Sequence, residues 1–591
     1  MVIMKKIVFP FVLLIFSLLL IQCKSDAKQN DFKTLTSNYF NDKNKLNPLD
    51  ATVNGQNQFN GQFVFEMTDS YRKQQYDFFQ KYQKELSQFK KESLTEEEQN
   101  SYEIIKWELE IGQTLLEQPT NLIPMNQFWG THLTMAQFAS GTSAQPFKTE
   151  KDYTNFLKRM ESYAVWLDSA MVSMKKGMQQ KIVLPKALTI KMIPQFEEMI
   201  TPKVQDNLFY SAIKIFPASF TADQKKKLTQ EYTTVIETKL MPKYQQMVTF
   251  LKNDYLPASR TSSGIGSVPH GNDLYKVYVK QWTTTSKTPE QIHQIGLHEV
   301  ALLNAEMEKV KEQVGFKGTL KEFLNEVRNK KELKPFTKPE QVIAHFEKIY
   351  KTIQPNVNKL FSLQPKTKFE IRRTEAFREK TASAEYIQGA VDGSRPGVFY
   401  VPIPDATQYN VLEDEDLFLH EAIPGHHFQM SLQQENTNLP DFRRYNWFGA
   451  YGEGWALYAE SLGKELGLYN DPYQYLGMLN DEMHRAIRLV VDTGIHYKGW
   501  TREQAIRYSL DNEAESEASI TSEVERYMAI PGQALSYKIG QLKILELREK
   551  AQSRLKDKFD IKKFHQIVLE SGVMPLDLLE KKVNAWIAKS E

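Results

Sequence analysis

Leu417-Phe418-Leu419-His420-Glu421-Ala422-Ile423-Pro424-Gly425-His426-His427-Phe428-Gln429 gathers three histidines and a glutamate into eight residues, directly after an apolar run. Such a concentration of nitrogen and oxygen donors points to a metal. The short zinc motif His-Glu-x-x-His sets its imidazoles four residues apart on one helix, separated by about 40° and about 6 Å. Here the second histidine comes later. On an unbroken helix His420 and His426 would point about 120° apart with about 9 Å of rise, so a regular helix cannot chelate through them. Pro424, however, lacks an N–H and its ring collides with the carbonyl four residues back, at His420, while Gly425 accepts backbone conformations closed to other residues. A helix bulge is therefore expected at Pro424-Gly425, carrying His426 into the place of the second ligand. His427 is the competitor. It returns to within about 20° of the face of His420 but lies about 10.5 Å along the axis, too far for two bonds of about 2.1 Å without comparable distortion. His426 is preferred.

A catalytic zinc normally takes three protein ligands and leaves one position open. Downstream, Tyr451-Gly452-Glu453-Gly454-Trp455-Ala456-Leu457-Tyr458-Ala459-Glu460 offers two carboxylates at the start and end of an apolar helix. They lie about 10.5 Å apart along that helix, so one of them at most is a ligand. Upstream, Lys368-Phe369-Glu370-Ile371-Arg372 alternates charged with apolar residues, and Gly397-Val398-Phe399-Tyr400-Val401-Pro402 is a short β-favouring run after a turn. A small sheet thus precedes the histidine stretch, where a strand beside a metal can pair with an extended peptide; a plain structural hairpin is the alternative. Most of the rest carries apolar residues at helical spacing, over 69–89, 95–116, 152–180, 185–199, 222–251, 288–314 and 338–359. His293 and His298-Glu299 fall inside one of these segments with no residue to break the helix between them, and read as helix surface or ordinary packing.

The N-terminus begins with Lys5-Lys6, an apolar run from Ile7 to Ile21 and Cys23, the order of a secretory signal and too short for a first reading as a membrane span. Leu20-Ile21-Gln22-Cys23 resembles a bacterial lipobox, in which residues 1–22 are removed and the cysteine is lipidated. Cys23 is the single cysteine of the chain, so the rest has no disulfide, thiolate ligand or cysteine nucleophile. Residues 23–47 are polar and lysine-rich and read as a flexible tether. No Gly/Ser/Pro linker or repeat divides the remainder, so 48–591 reads as one mostly helical body, with a scaffold half over 48–365 and a catalytic half over 366–591. By likeness to lipoproteins in general, Lys24 suits an outer-membrane destination in the cell envelope. The 75 basic and 73 acidic residues are interspersed, and nucleic acid is not suggested as a partner.

His420-Glu421-Ala422-Ile423-Pro424-Gly425-His426-His427, Glu453 to Glu460, Arg488-Leu-Val-Val-Asp-Thr-Gly-Ile-His496 and Pro531-Gly-Gln-Ala-Leu-Ser-Tyr537 together resemble the domain of unknown function 885 family. That family is similar to the gluzincin metallopeptidases, mainly α proteins with a His-Glu helix, a downstream glutamate ligand and a small active-site β-sheet. The resemblance implies one Zn²⁺ per chain, held by His420, His426 and Glu453. It implies a lipid-anchored, secreted metallopeptidase in which Glu421 is general base and Tyr537 and His496 are candidate donors to the oxyanion. Arg488, Tyr400 and Gln533 are the candidate substrate contacts, and Arg488 with Asp492, one turn on, a candidate ion pair. Two further functions stay open: a catalytically inactive peptide-binding lipoprotein, and another zinc-dependent amide hydrolase. So does replacement of a ligand by His427 or Glu460.

Overall fold

Threonines begin many of the helices. Thr95, Thr149, Thr288 and Thr319 each accept a hydrogen bond from the backbone three residues on, while the side chain at that position returns one to the threonine backbone, so two otherwise unpaired groups are satisfied at each start. The computed structural model describes residues 31–375, 379, 382–390, 393 and 395–591. It is mainly α. A first helix, α1, covers residues 31–46. It is followed by α2 (Asp69–Leu86), α3 (Glu96–Leu116), α4 (Glu150–Gln180), α5 (Gly271–Thr283), α6 (Pro289–Gln313) and α7 (Pro339–Leu360). Then come β1 (Phe369–Arg373), β2 (Glu385–Ile387) and β3 (Gly397–Val401). The C-terminal part holds α8 (Asp414–Glu421), α9 (His426–Glu435), α10 (Gly449–Ser461), α11 (Pro472–His496), α12 (Glu517–Ala529) and α13 (Ser536–Leu555), among shorter elements. Buried apolar residues from Phe32 to Ile587 form one contiguous core.

Two sequence expectations are corrected. Residues 31–46 are not a tether, because Phe32, Leu35, Tyr39 and Phe40 recur at helical spacing under the lysines and are all buried. Tyr39 meets Phe442 edge-on at 5.7 Å and Phe40 stacks on Tyr445 at 6.0 Å, so α1 packs on the segment that leads into α10. Residues 23–30, the signal segment and Cys23 lie outside the described residues. The two strand-like runs are also not a hairpin: β1 and β3 pair in parallel, Phe369 opposite Gly397, and the unforeseen β2 pairs antiparallel with β3, giving the order β1-β3-β2. Phe399 of the central strand meets Phe346 at 5.2 Å and Phe418 at 6.3 Å, which seats the sheet on α7 and α8.

α10 is buried on nearly every side. It crosses α13 so closely that a Cβ on Gly454 would lie 2.4 Å from Gly540 Cα, so only glycine fits there. That contact fixes how far α10 projects toward the histidines.

Candidate metal centre

The break between α8 and α9 builds the site. Instead of a bulge inside one helix, α8 ends at Glu421, the chain turns through 422–425, and α9 starts anew at His426. The Ile423-Pro424 peptide is cis, and Trp455 Nε1 donates to Pro424 O at 2.8 Å. Gly425 passes so near the end of α8 that a Cβ there would sit 1.9 Å from His420 O. The turn closes the separation that a continuous helix leaves open, and the His420 and His426 rings stand 4.8 Å apart at 89°.

Glu453, near the start of α10, faces both. Its Oε2 lies 3.7 Å from His420 Nε2 and 3.4 Å from His426 Nε2. These separations are at or beyond the limit of an N–H···O bond, yet they fit the edge of a tetrahedron, since ligands about 2.1 Å from one ion lie about 3.4 Å apart. Burial alone would push the Glu453 carboxyl up; the pull of the two imidazoles outweighs it and holds the group below the usual carboxylate range. His420 shows the converse: burial would lower it, and Glu453 together with the charge of Glu421 raises it. On its other side His420 Nδ1 meets Glu460 Oε1 at 2.5 Å. A carboxylate there fixes the tautomer and turns Nε2 toward Glu453, as carboxylates behind metal-bound imidazoles do. Glu460 thus backs His420, while Glu453 stands where a ligand would. His426 Nδ1 is buried without a partner among the described residues.

Glu421 joins the cluster, its carboxylate within 4.8 Å of one ring nitrogen of His420 and one of His426. Glu421 Oε2 accepts from Tyr386 N at 2.9 Å, on the free side of edge strand β2. His427 points elsewhere. Its ring lies against Phe369 at 4.8 Å, Nδ1 is 3.0 Å from the Tyr386 hydroxyl, and burial pushes its pKa down to about 4.

The remaining sequence candidates are spread around this centre. Tyr537 is half-buried under two guanidiniums, Arg485 at 5.5 Å and Arg488 at 4.6 Å from its ring centre, and its hydroxyl has no hydrogen bond among the described residues. His496 is not available as a donor to substrate. Its Nδ1 accepts from Ile265 N at 2.9 Å, its Nε2 lies 2.9 Å from Tyr527 O, and burial lowers its pKa to about 3. The Arg488–Asp492 pair is not formed either. Asp492 accepts from the Tyr275 hydroxyl at 2.5 Å and from Gly532 N, while Arg488 donates to Glu523 at 2.9 Å. Gln533 Oε1 accepts from Arg526 at 3.0 Å. Tyr400 lies opposite Arg372 in the β1–β3 register, and strand alternation puts it on the sheet face away from Phe399 and α8. His293 is buried on Thr493 at 2.8 Å and Glu299 pairs with Lys538, so both are packing residues.

Sequence reasoning missed Tyr386, Arg485 and Trp447. Trp447, 42% exposed, covers His426 at 5.9 Å between ring centres. Its only sequence signal is Gly452, where a Cβ would strike the indole at 2.1 Å.

Residues 48–583 match the sequence family described as bacterial protein of unknown function (DUF885). Among solved structures, a Colwellia psychrerythraea protein provisionally described as a lipoprotein is 29% identical, with a TM-score of 0.85 over 94% of this chain and 99% of its own. A second, from Shewanella oneidensis and provisionally described as a lipoprotein of unknown function, is 20% identical, with a TM-score of 0.73 over 93% and 99%. That second likeness is one of fold. No curated protein matches the chain. Among the described residues no helix is long and apolar enough to cross a membrane.

Proposed function

We propose the following function for this chain, which belongs to the DUF885 family of bacterial proteins: it is a zinc-dependent hydrolase of peptide bonds, related to the gluzincins. The observation that carries the reading is the meeting of His420 Nε2, His426 Nε2 and Glu453 Oε2 at ligand-to-ligand spacing, with Glu460 locking His420 from behind and Glu421 alongside. His420, His426 and Glu453 would hold one Zn²⁺, a borderline ion suited to imidazole and carboxylate. Bound there, the ion would supply Lewis acidity toward a carbonyl and bring the ionisation of water down to about pH 7.

The chain supplies the rest. Glu421, next in sequence to His420 and outside the triad of His420, His426 and Glu453, takes a proton from the attacking water and passes it to the leaving amine. The Tyr537 hydroxyl, without a hydrogen bond among the described residues, donates to the oxyanion that forms as water adds to the carbonyl. Edge strand β2 offers backbone groups to an extended peptide, and the Tyr386 N–H beside Glu421 marks where that edge meets the acid–base residue. Water and one peptide bond give one carboxylate and one amine.

Two observations support anchoring: the lipobox-like Leu20-Ile21-Gln22-Cys23 and the 29% identical neighbour described as a lipoprotein. We read the protein as tethered through a lipid on Cys23 in the cell envelope, at the outer membrane. The function is tested by zinc analysis of the purified protein and cleavage of a mixed peptide library. One zinc per chain and cleavage abolished by chelation are expected; a protein that takes up no zinc, or a zinc-loaded protein that cleaves no peptide, overturns the reading.

A further inference from the structure

Two arginines one turn apart on α11 keep nitrogen atoms without acceptors among the described residues. Arg488 is 4% exposed; its Nε donates to the Tyr527 hydroxyl at 3.2 Å and its Nη2 to Glu523 at 2.9 Å, but Nη1 is buried with no partner among the described residues. Arg485 pairs with Asp481 at 3.1 Å, and its buried Nε likewise has none. Both guanidiniums lie over the Tyr537 ring. A ring face attracts a cation but gives a forked donor no oxygen to bond. These arginines adjoin the metal centre: Asp481, the partner of Arg485, is within 4.8 Å of Glu460, which holds His420 at 2.5 Å.

We propose that Arg485 and Arg488 receive the free C-terminal carboxylate of a peptide, so that the protein removes residues from C-terminal ends rather than cutting internal bonds. The inference rests on the peptidase reading and narrows its substrate class. A guanidinium fork matches the two oxygens of a carboxylate, and the Tyr537 ring beneath both arginines carries the hydroxyl assigned above as donor to the oxyanion.

Three matched peptides test it: one with a free C-terminal acid, one with a C-terminal amide, and one amide carrying a glutamate as its last residue. Each is assayed for cleavage by the zinc-loaded protein and, separately, for binding to the zinc-free protein by calorimetry. The acid is expected to be cleaved about 10²-fold more efficiently than the plain amide and to bind about tenfold more tightly. Arg488→Lys, which keeps a charge for Glu523, should remove most of that preference while zinc content is unchanged. Equal cleavage of acid and amide overturns the proposal and leaves the peptidase reading standing. Tighter binding of the acid without any cleavage keeps the anchor and removes the peptidase reading. If only the glutamate-bearing amide matches the acid, the arginines read an acidic side chain and the exopeptidase inference fails.

Discussion

The His496–Asp492 and the His420–His426–Glu453 centres, both buried, look alike in sequence and differ in how their polar atoms are satisfied. Around His496 and Asp492 both ring nitrogens and the single carboxylate meet the fold itself: Ile265 N, Tyr527 O, the Tyr275 hydroxyl and Gly532 N. Around His420 and His426 the facing nitrogens meet Glu453, at 3.7 and 3.4 Å, distances at the edge of hydrogen bonding and suited to a shared ion. A buried polar group must find a partner, so the first centre is a brace, and the second is where the proposed metal would complete the set. Residue type does not separate them. Satisfaction does.

That comparison can be broken in three ways. The largest effect is expected at Glu421, which the account treats as a proton carrier and not a ligand: Glu421→Gln should keep zinc content and the melting temperature while peptide cleavage falls by about 10²- to 10⁴-fold. Cleavage at the wild-type rate would remove Glu421 from the mechanism.

Next comes Glu460, which orients His420 from behind. Glu460→Gln should weaken zinc affinity by about 10- to 100-fold, measured by competition with a chelator, without abolishing the site. An affinity equal to wild type would mean that the 2.5 Å contact with His420 has no bearing on metal binding.

The smallest effect on chemistry and the clearest on folding belongs to the brace. His496→Gln should leave zinc affinity unchanged but lower stability by about 1–3 kcal/mol, because Ile265 N or Tyr527 O loses its partner. It should also change the pH profile. The folded pKa of His496, lowered to about 3, lies below the ordinary 6.5, so its neutral form stabilises the fold above pH 6.5 and that contribution is lost as pH falls from 6.5 toward 3. Denaturation of wild type and variant across this range should converge at low pH; parallel curves would show that His496 is not held neutral.

Much of the helical frame was legible, since threonine caps and apolar spacing are local signals: α3 and α6 begin where Thr95 and Thr288 announce them. The preference for His426 over His427 rested on helix geometry and on Pro424-Gly425, and the structure sets His426 beside Glu453 and turns His427 toward Phe369. What escaped depends on distant partners. Arg488 and Asp492 are spaced for an ion pair, but Glu523, Tyr275 and Gly532 arrive from other elements and take them first. β2 is three residues long and has too few positions to show alternation, and α1 hides a four-residue apolar stripe in a lysine-rich segment.

A second cluster makes the central claim sharply testable: Asp416, Glu460 and Asp481 also bring three carboxylate oxygens within 4.8 Å of one another, directly behind His420. Anomalous diffraction at the zinc edge from crystals of the zinc-loaded protein distinguishes the two places. One peak is expected, about 2.1 Å from His420 Nε2, His426 Nε2 and a Glu453 carboxylate oxygen. A peak among Asp416, Glu460 and Asp481 instead, or none at full zinc loading, would contradict it.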